Sequence, residues 1–294
     1  PAPPPYQHPR ISLNPEDLPS FRDRMLNTQT GQFMLKKIRH TCQKSKQMDV
    51  WKVMTGEKPG EIPLDKDPFV AVIIYEILLG VIDQDDDRVR VAVDIMARMC
   101  EKIYPNLLEV RQKAVQQVQK QFKNVQLHRI DYRTSVQPVV YRTFLAHGYD
   151  LGYNHMNDKQ RDAVRRVLLT AIDDIWCIGL EALPSLDSCR SNWVTHYDQL
   201  ISLCLAVEHE QTTDGSMKYD VGTFARSVAS MERFLTFGIG ADGSAYEGMG
   251  KNQATVQPML AVAKRGFWPI ATMSLRNHIR KYYAYHLIPC GRNR

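Results

Sequence analysis

The sequence predicts an all-α fold in which roughly ten or more helices form an (α/α) toroid, an incomplete α/α barrel. Apolar residues recur at helical spacing in almost every segment after residue 14, and convincing strand patterns are scarce. No fixed-period repeat typical of helical solenoids is present, which favours a closed ring over an open stack. Helices are expected near 31–47, 68–82, 86–103, 105–122, 136–155, 158–181, 191–210, 220–238, 253–264 and 268–285.

Two helix starts are marked by their capping residues. Asn14 precedes a proline and two acidic residues, the usual order for a cap followed by a first turn. Asn157 is followed three residues later by Gln160, which completes a capping box for a helix over 158–181. The chain is therefore divided into a proline-rich arm, 1–13, and a helical domain, 14–294.

Composition excludes several classes of protein. The longest apolar run, 69–82, contains Glu76 and has the length of a buried helix, so no membrane span is expected. The net charge of +6 favours polyanionic partners. There is no arginine-rich run, zinc-finger spacing or RNA-binding signature, so no nucleic acid is expected as a partner.

The six cysteines are widely spaced and contain no Cys-x-x-Cys pair, so neither a metal site nor a cofactor is expected. Cys100, Cys177 and Cys204 lie in apolar surroundings and are expected to be small buried side chains. An oxidising compartment would permit Cys189 or Cys290 to pair, and the sequence leaves that pairing open. The start at Pro1 fits a secreted or periplasmic protein whose leader has been removed, and equally a trimmed boundary.

The first candidate stretch for chemistry lies on the helix predicted over 191–210. Asn192 and His196 are one turn apart, Gln199 continues their face, and Trp193 belongs to the adjoining apolar stripe. The functional interpretation is an amide and an imidazole directed into a cleft. The structural alternative is a helix N-terminus capped by Asn192.

The second candidate stretch is a turn at 242–244. Five glycines fall within the thirteen residues from 238 to 250, which indicates backbone in unusual conformations or closely approached by a ligand. A simple turn is the alternative. The polar side chains that follow the turn are Tyr246, Glu247, Lys251 and Asn252.

A third group combines aromatic and hydrogen-bonding residues at the end of the helix predicted over 136–155. Such a mixture suits sugar binding, because pyranose faces stack on aromatic rings, but packing at a helix end is an equal alternative. The members are His147, Tyr149, Asp150, Tyr153, Asn154 and His155. No glycine-rich phosphate loop, His-Glu-x-x-His or Gly-x-Ser-x-Gly motif is present.

Residues 8–285 resemble the N-terminal helical toroid of the heparinase II/III-like and alginate-lyase-like polysaccharide lyases. One stretch that carries the resemblance runs from His8-Pro9-Arg10 to Leu18, and another from Tyr149-Asp150 to Arg161. The last combines Asn192-Trp193 with Asp242-Gly243-Ser244 and Glu247-Gly248.

The resemblance implies cleavage of an acidic polysaccharide, such as alginate or a glycosaminoglycan, by β-elimination at a uronic acid. It implies that Asn192 neutralises the substrate carboxylate, with His196 as a second donor or base. The family motif that begins with Asp242-Gly243-Ser244 ends in a tyrosine, and Lys251 occupies that position here. The resemblance therefore assigns the proton transfer of that tyrosine to Lys251 or to Tyr246. The substrate-binding residues expected are Trp193, Gln199, Tyr149, Asn154, His147, Glu247 and Asn252.

Two other functions stay open beside the lyase. The change at Lys251 is compatible with a catalytically inactive toroid that binds glycans. An open helical scaffold that binds protein is the other alternative. The family usually continues into a β-sheet domain, so the resemblance also implies a toroid that stops before that domain.

Overall fold

A computed structural model describes residues 6–58, 67–122, 139–174, 200–237, 258 and 260–265. This part of the chain is all-α, as the sequence predicts. The helices are α1 (Leu18–Asn27), α2 (Gln29–Lys46), α3 (Asp49–Thr55), α4 (Asp67–Asp83), α5 (Asp86–Phe122), α6 (Val139–Gly152), α7 (Asp158–Asp174) and α8 (Val221–Phe237). Short 3₁₀ turns occupy Pro15–Asp17 and Tyr153–His155, and residues 200–206 are also helical.

Helix α4 lies at the centre of this packing, against α5, α6 and α2. Its sequence is apolar around most of its circumference, which is the pattern of a helix enclosed on several sides. Ile73, Ile77 and Leu79 are completely buried. Helix α5 in turn packs against α7, so these helices share one apolar core.

Two glycines let α6 approach its neighbours closely. A Cβ added at Gly148 would lie 2.3 Å from Ile74 Cδ1, and one added at Gly152 would lie 2.5 Å from Val93 Cγ1. Both distances are shorter than carbon atoms tolerate, so the neighbouring side chains would have to move to admit a larger residue. The close approach matters because the C-terminal end of α6 carries Tyr149 and Asp150.

The predicted helix starts are confirmed. The backbone N–H of Asn157 donates to Gln160 Oε1 at 3.0 Å, and the N–H of Gln160 donates to Asn157 Oδ1 at 2.9 Å, which is the reciprocal capping box. At the other start, the Asn14 N–H donates to Asp17 Oδ2 at 2.7 Å. The chain makes one 3₁₀ turn there before α1 begins.

The prediction of two helices, over 86–103 and 105–122, is wrong. A single helix, α5, runs through Pro105. A proline removes one backbone donor and disturbs one turn, but packing on either side outweighs this local cost. Cys100 and Leu107 flank the proline and are both buried in the same core.

The sequence places residues 8–11 in an N-terminal arm, yet all four are buried in the helical body. Cys100 and Cys204 are buried free thiols, as expected, whereas Cys177, Cys189 and Cys290 lie outside the described residues. Among the described helices, none has the length and apolarity needed to cross a membrane.

Candidate functional site

Most of the residues selected from the sequence lie outside the part of the chain that the structure describes: Asn192, Trp193, His196, Gln199, Tyr246, Glu247, Lys251 and Asn252. The segments that adjoin them are described. Residues 200–210 follow the first candidate stretch, while α8 and residues 260–265 flank the second. His147, Tyr149 and Asn154 are themselves described.

Tyr149 is a packing residue in this structure. Its side chain is 0% exposed, and its hydroxyl donates to Glu210 Oε2 at 2.6 Å. Burial, together with the charge of Glu210, raises the pKa of Tyr149 well above its ordinary value. The ring has no face open to a sugar in this conformation. Tyr149 therefore agrees with the alternative in which these aromatic residues pack at a helix end.

Asn154 and His147 lie nearer the surface. Asn154 is exposed, and its Nδ2 donates to the backbone oxygen of His8 at 3.3 Å, so it helps to hold the N-terminal segment. His147 is half-buried on α6, and burial lowers the pKa of His147. A substrate-binding role for either residue stays a prediction.

The most unusual feature of the described structure is a buried ionic cluster beneath the N-terminal segment. It joins residues that are far apart in the sequence and pairs them by charge. Its members are His8, Arg10, Asp150, Arg165, Glu208, Glu210 and Arg265, and all seven are buried.

His8 lies between two carboxylates of this cluster. Its Nδ1 is 2.8 Å from Asp150 Oδ1, and its Nε2 is 3.0 Å from Glu210 Oε1. An ionised carboxylate only accepts hydrogen bonds, so this geometry favours an imidazole that carries a proton on both nitrogens. Burial acts to lower the pKa of His8, but the two carboxylates outweigh it and raise that pKa.

Asp150 fixes the backbone of the N-terminal segment as well as the ring. Its Oδ1 accepts from the Arg10 N–H at 2.6 Å, and its Oδ2 accepts from the Ile11 N–H at 3.0 Å. One carboxylate at the end of α6 therefore binds three donors of residues 8–11. This arrangement explains why a segment without a helix or strand is buried.

A second part of the cluster is centred on Glu208. Arg10 Nη2 donates to Glu208 Oε2 at 2.6 Å, and Arg265 Nη1 donates to the same oxygen at 2.7 Å. Arg265 also donates through Nε to the backbone oxygen of Arg10 at 3.1 Å. Burial lowers the pKa of Arg265, and Glu208 opposes this change.

Glu210 and Arg165 complete the cluster. Arg165 Nε donates to Glu210 Oε2 at 2.8 Å, and Arg165 Nη1 donates to the backbone oxygen of Gln211 at 3.0 Å. Burial raises the pKa of Glu210, yet hydrogen bonds from His8 and Tyr149 hold it below its ordinary value. The buried charges are thus paired and hydrogen-bonded, as burial of ionised groups requires.

Sequence reasoning missed Arg165, Glu208, Glu210 and Arg265 as members of any site. One local signal was available, because two acidic residues, Glu208 and Glu210, come directly after the apolar stretch 200–207. Their partners lie up to 202 residues away in the sequence, and no local pattern identifies them.

A separate open cleft of about 530 Å³ lies between α2, α3, α4 and the start of α5. At its base, Glu76 is 2% exposed and accepts from Arg88 Nε at 2.7 Å and from Lys46 Nζ at 2.9 Å. Asp85 and Asp87 also line the cleft. With three acids against two cations, this cleft is poorly suited to a polyanion.

Beside Glu76 lies Cys42, whose burial, reinforced by the Glu76 charge, raises the pKa of the thiol to about 12. Such a thiol is not a reactive nucleophile at neutral pH. No group of three or more metal-binding side chains occurs among the described residues.

No family model matches the chain, and no curated protein matches it in sequence.

Proposed function

We propose that this chain is a polysaccharide lyase that cleaves an acidic, uronic-acid-containing polysaccharide by β-elimination on an (α/α) toroid. The observation that supports this most directly is the buried ionic cluster. Through it, the His8-Pro9-Arg10 stretch contacts Tyr149 and Asp150, so two of the three family-like stretches lie together in space.

The same cluster joins the segments that adjoin the third family-like stretch. Glu208 lies near the end of the helix predicted over 191–210, which carries Asn192 and His196, and Arg265 follows the predicted turn at 242–244. The two side chains form a buried ion pair at 2.7 Å. This pair supports a site built from both candidate stretches, because it joins two segments that follow them in the chain.

In the proposed reaction, the Asn192 amide neutralises the C6 carboxylate of the uronic acid, and His196 is a second donor or the base. Neutralisation makes the C5 proton acidic enough to remove, since negative charge develops on the carboxylate as that proton leaves. Tyr246 or Lys251 completes the proton transfers. Loss of the C5 proton and cleavage of the C4–O bond leave a C4=C5 double bond.

The positive net charge of the chain suits a polyanionic substrate of the alginate or glycosaminoglycan class. The proposed substrate contacts come from Trp193, Gln199, Glu247 and Asn252, with His147 and Asn154 nearby in the described region. Because such polysaccharides are extracellular, we propose a secreted or periplasmic location. The proposed chemistry uses no cofactor or metal.

The test is incubation with alginate, heparan sulfate, chondroitin sulfate and hyaluronan, followed by ultraviolet absorbance of the new double bond. We expect turnover of at least one polymer, and Asn192→Ala should lower kcat/KM by roughly 100-fold or more, as loss of one charge-stabilising donor does. Asn27→Ala, on the exposed end of α1, is the matched control and should retain full activity. Equal activity of Asn192→Ala and wild type would remove Asn192 from the mechanism.

Tyr246→Phe and Lys251→Met, measured in the same assay, compare the two residues available for proton transfer. If a variant retains full activity, the residue that it replaces takes no part in the proton transfers. If both retain it, the loop interpretation is wrong.

A second function is favoured by one observation, the lysine at position 251 where the lyase motif has tyrosine. A toroid without that phenol would bind acidic glycans without cleaving them. Calorimetric titration with the same four polymers separates the alternatives. Binding without double-bond formation favours the inactive toroid, and absence of binding favours a protein-binding scaffold.

A further inference from the structure

Helix α2 carries an unusual concentration of positive charge. Its 18 residues include five cations and no acidic residue, so its formal charge is +5, against +6 for the whole chain. The rest of the chain is therefore nearly neutral. The five cations are Lys36, Lys37, Arg39, Lys44 and Lys46.

Helical spacing divides α2 into a buried face and an exposed face. The buried face packs against α1 and α4 and consists of Gly31, Leu35, Cys42 and Ser45. The opposite face, which we call the α2 ridge, consists of the exposed residues Phe33, Lys36, Lys37, His40 and Lys44. From the rise of 1.5 Å per residue, the first and last ridge lysines lie about 12 Å apart along the helix axis.

The two cations of α2 outside the ridge are paired with acids of α4. Arg39 Nη2 is 2.6 Å from Asp83 Oδ1, and Lys46 Nζ is 2.9 Å from Glu76 Oε2. The three ridge lysines form no ion pair with any residue that the structure describes. Their charges are therefore available to a partner in solution.

Helix stability alone does not account for the ridge. Other surface helices pair their cations with acids one turn away, as Arg98 does with Asp94 and Arg166 with Asp162. At three and four residues from each ridge lysine, the sequence contains no acid. The helix macrodipole favours a lysine in the last turn of α2, but not the two lysines near its middle.

An aromatic ring lies beside these charges. Phe33 is 56% exposed, and Lys37 Nζ is 4.5 Å from the centroid of its ring. The ridge therefore combines cations with an apolar surface, and a pyranose ring can stack on that surface.

We propose that the α2 ridge is a binding surface for an extended acidic polysaccharide, a choice of partner that rests on the proposed function. Its lysines pair with the carboxylate or sulfate groups that recur along the polymer, and Phe33 contacts a sugar ring between them. None of the residues proposed for catalysis belongs to α2. The ridge thus holds the polymer and takes no part in its cleavage.

The structure favours a polysaccharide over a membrane or a nucleic acid. An amphipathic helix binds a bilayer by burying its apolar stripe in it, and the apolar stripe of α2 is already packed against α1 and α4. Phosphate recognition in nucleic acids favours arginine, whose planar guanidinium donates two parallel hydrogen bonds. The unpaired cations of the ridge are all lysines, which attract carboxylate and sulfate groups as point charges.

The experiment compares wild type with the triple variant Lys36→Gln/Lys37→Gln/Lys44→Gln in calorimetric titrations with the four polysaccharides named above. For the polymer that wild type binds most tightly, we expect Kd to rise roughly 10-fold or more at about 0.15 M salt. The dependence of Kd on salt should also become shallower, because fewer cations displace counterions from the polymer. Phe33→Ala should weaken binding without changing the salt dependence.

The matched control is Lys102→Gln/Lys159→Gln/Lys218→Gln, which removes the same three charges from exposed positions on other parts of the chain. It should retain the wild-type Kd. Equal losses of affinity in the two triple variants would show that net charge, and not the ridge, attracts the polymer.

Three other results would overturn the proposal. One is an unchanged Kd in the ridge variant, and another is a wild type that binds none of the four polymers. The third is binding of duplex DNA or phosphatidylserine vesicles that depends on the ridge lysines and is tighter than binding of every polysaccharide.

Activity separates this inference from the function on which it rests. If wild type cleaves a polymer, the ridge variant should raise KM and leave kcat unchanged. If wild type forms no double bond and the ridge variant still loses affinity, the lyase function fails and the binding surface stands.

Discussion

At the scale of single residues, His8 is the group whose charge controls how firmly the N-terminal segment is held. Its two ring nitrogens face Asp150 and Glu210, and it stacks on Tyr153 with the centroids 4.0 Å apart. A protonated ring satisfies both carboxylates, whereas a neutral ring donates to only one of them. The stability of the fold is therefore linked to the protonation of one buried histidine.

We expect the contribution of His8 to depend on pH with a definite sign. The pKa of His8 in the folded protein is raised above its ordinary value of 6.5, so the stabilisation is complete below that value. It is lost as the pH rises through the higher, folded-state pKa. Urea denaturation across this range should show the free-energy difference between wild type and His8→Gln shrinking with increasing pH.

The control for this measurement is His40→Gln, since His40 is exposed on α2. The unfolding free energy of His40→Gln should differ little from that of wild type at every pH. If the difference in unfolding free energy between wild type and His8→Gln stays constant, or grows with pH, protonation of His8 does not hold residues 8–11 in place.

At the scale of elements, α5 shows tertiary packing overriding a local signal. Pro105 lies inside the helix, where a proline lacks the backbone donor and its ring crowds the preceding turn. The proline ring is exposed, while the helix residues around it pack into the core on the opposite side. The helix therefore continues because its buried face is continuous, and it does so at a local cost.

Pro105→Ala should consequently stabilise the protein by about 1–3 kcal/mol, because it restores the missing hydrogen bond and relieves the ring contact. Part of this gain is offset by the greater freedom that alanine gives the unfolded chain. Chemical denaturation measures the change. Pro15→Ala, in a first helical turn where proline is well tolerated, should give no gain, and a loss of stability in Pro105→Ala would contradict this account of α5.

At the scale of the whole molecule, Glu208 links parts of the chain that are far apart. It binds Arg10 near the start of the described chain and Arg265 at its end, through one carboxylate oxygen. All three side chains are buried, so removal of Glu208 leaves two arginine charges without their carboxylate in a dry environment. We infer that this link helps the described segments unfold as one unit.

A double-mutant cycle tests this link. Glu208→Gln should cost about 3–5 kcal/mol of unfolding free energy, and the Glu208→Gln/Arg265→Met double variant should lose less than the sum of the two single losses. The surface pair Arg39–Asp83, at 2.6 Å, is the matched control and should couple by at most about 1 kcal/mol. Additive losses at Glu208 and Arg265 would show that this ion pair does not link the two segments.

Local sequence predicts some features of the candidate site, as it does for the fold, and it leaves others undetermined. The stretches His8-Pro9-Arg10 and Tyr149-Asp150 were identifiable as motifs, but their mutual contact was not. The buried hydroxyl of Tyr149 finds its acceptor in Glu210, 61 residues away.

The sequence by itself determined the all-α class, the starts of the helices at Asn14 and Asn157, and the buried state of Cys100 and Cys204. These features depend on spacing within a few turns of chain, which local periodicity and capping chemistry fix. Only the tertiary structure decided that residues 8–11 join the core, that α5 passes through Pro105, and that Glu208 meets Arg10 and Arg265. Those outcomes depend on burial shared between distant segments, because charges separated along the chain acquire their partners only when folding removes them from water.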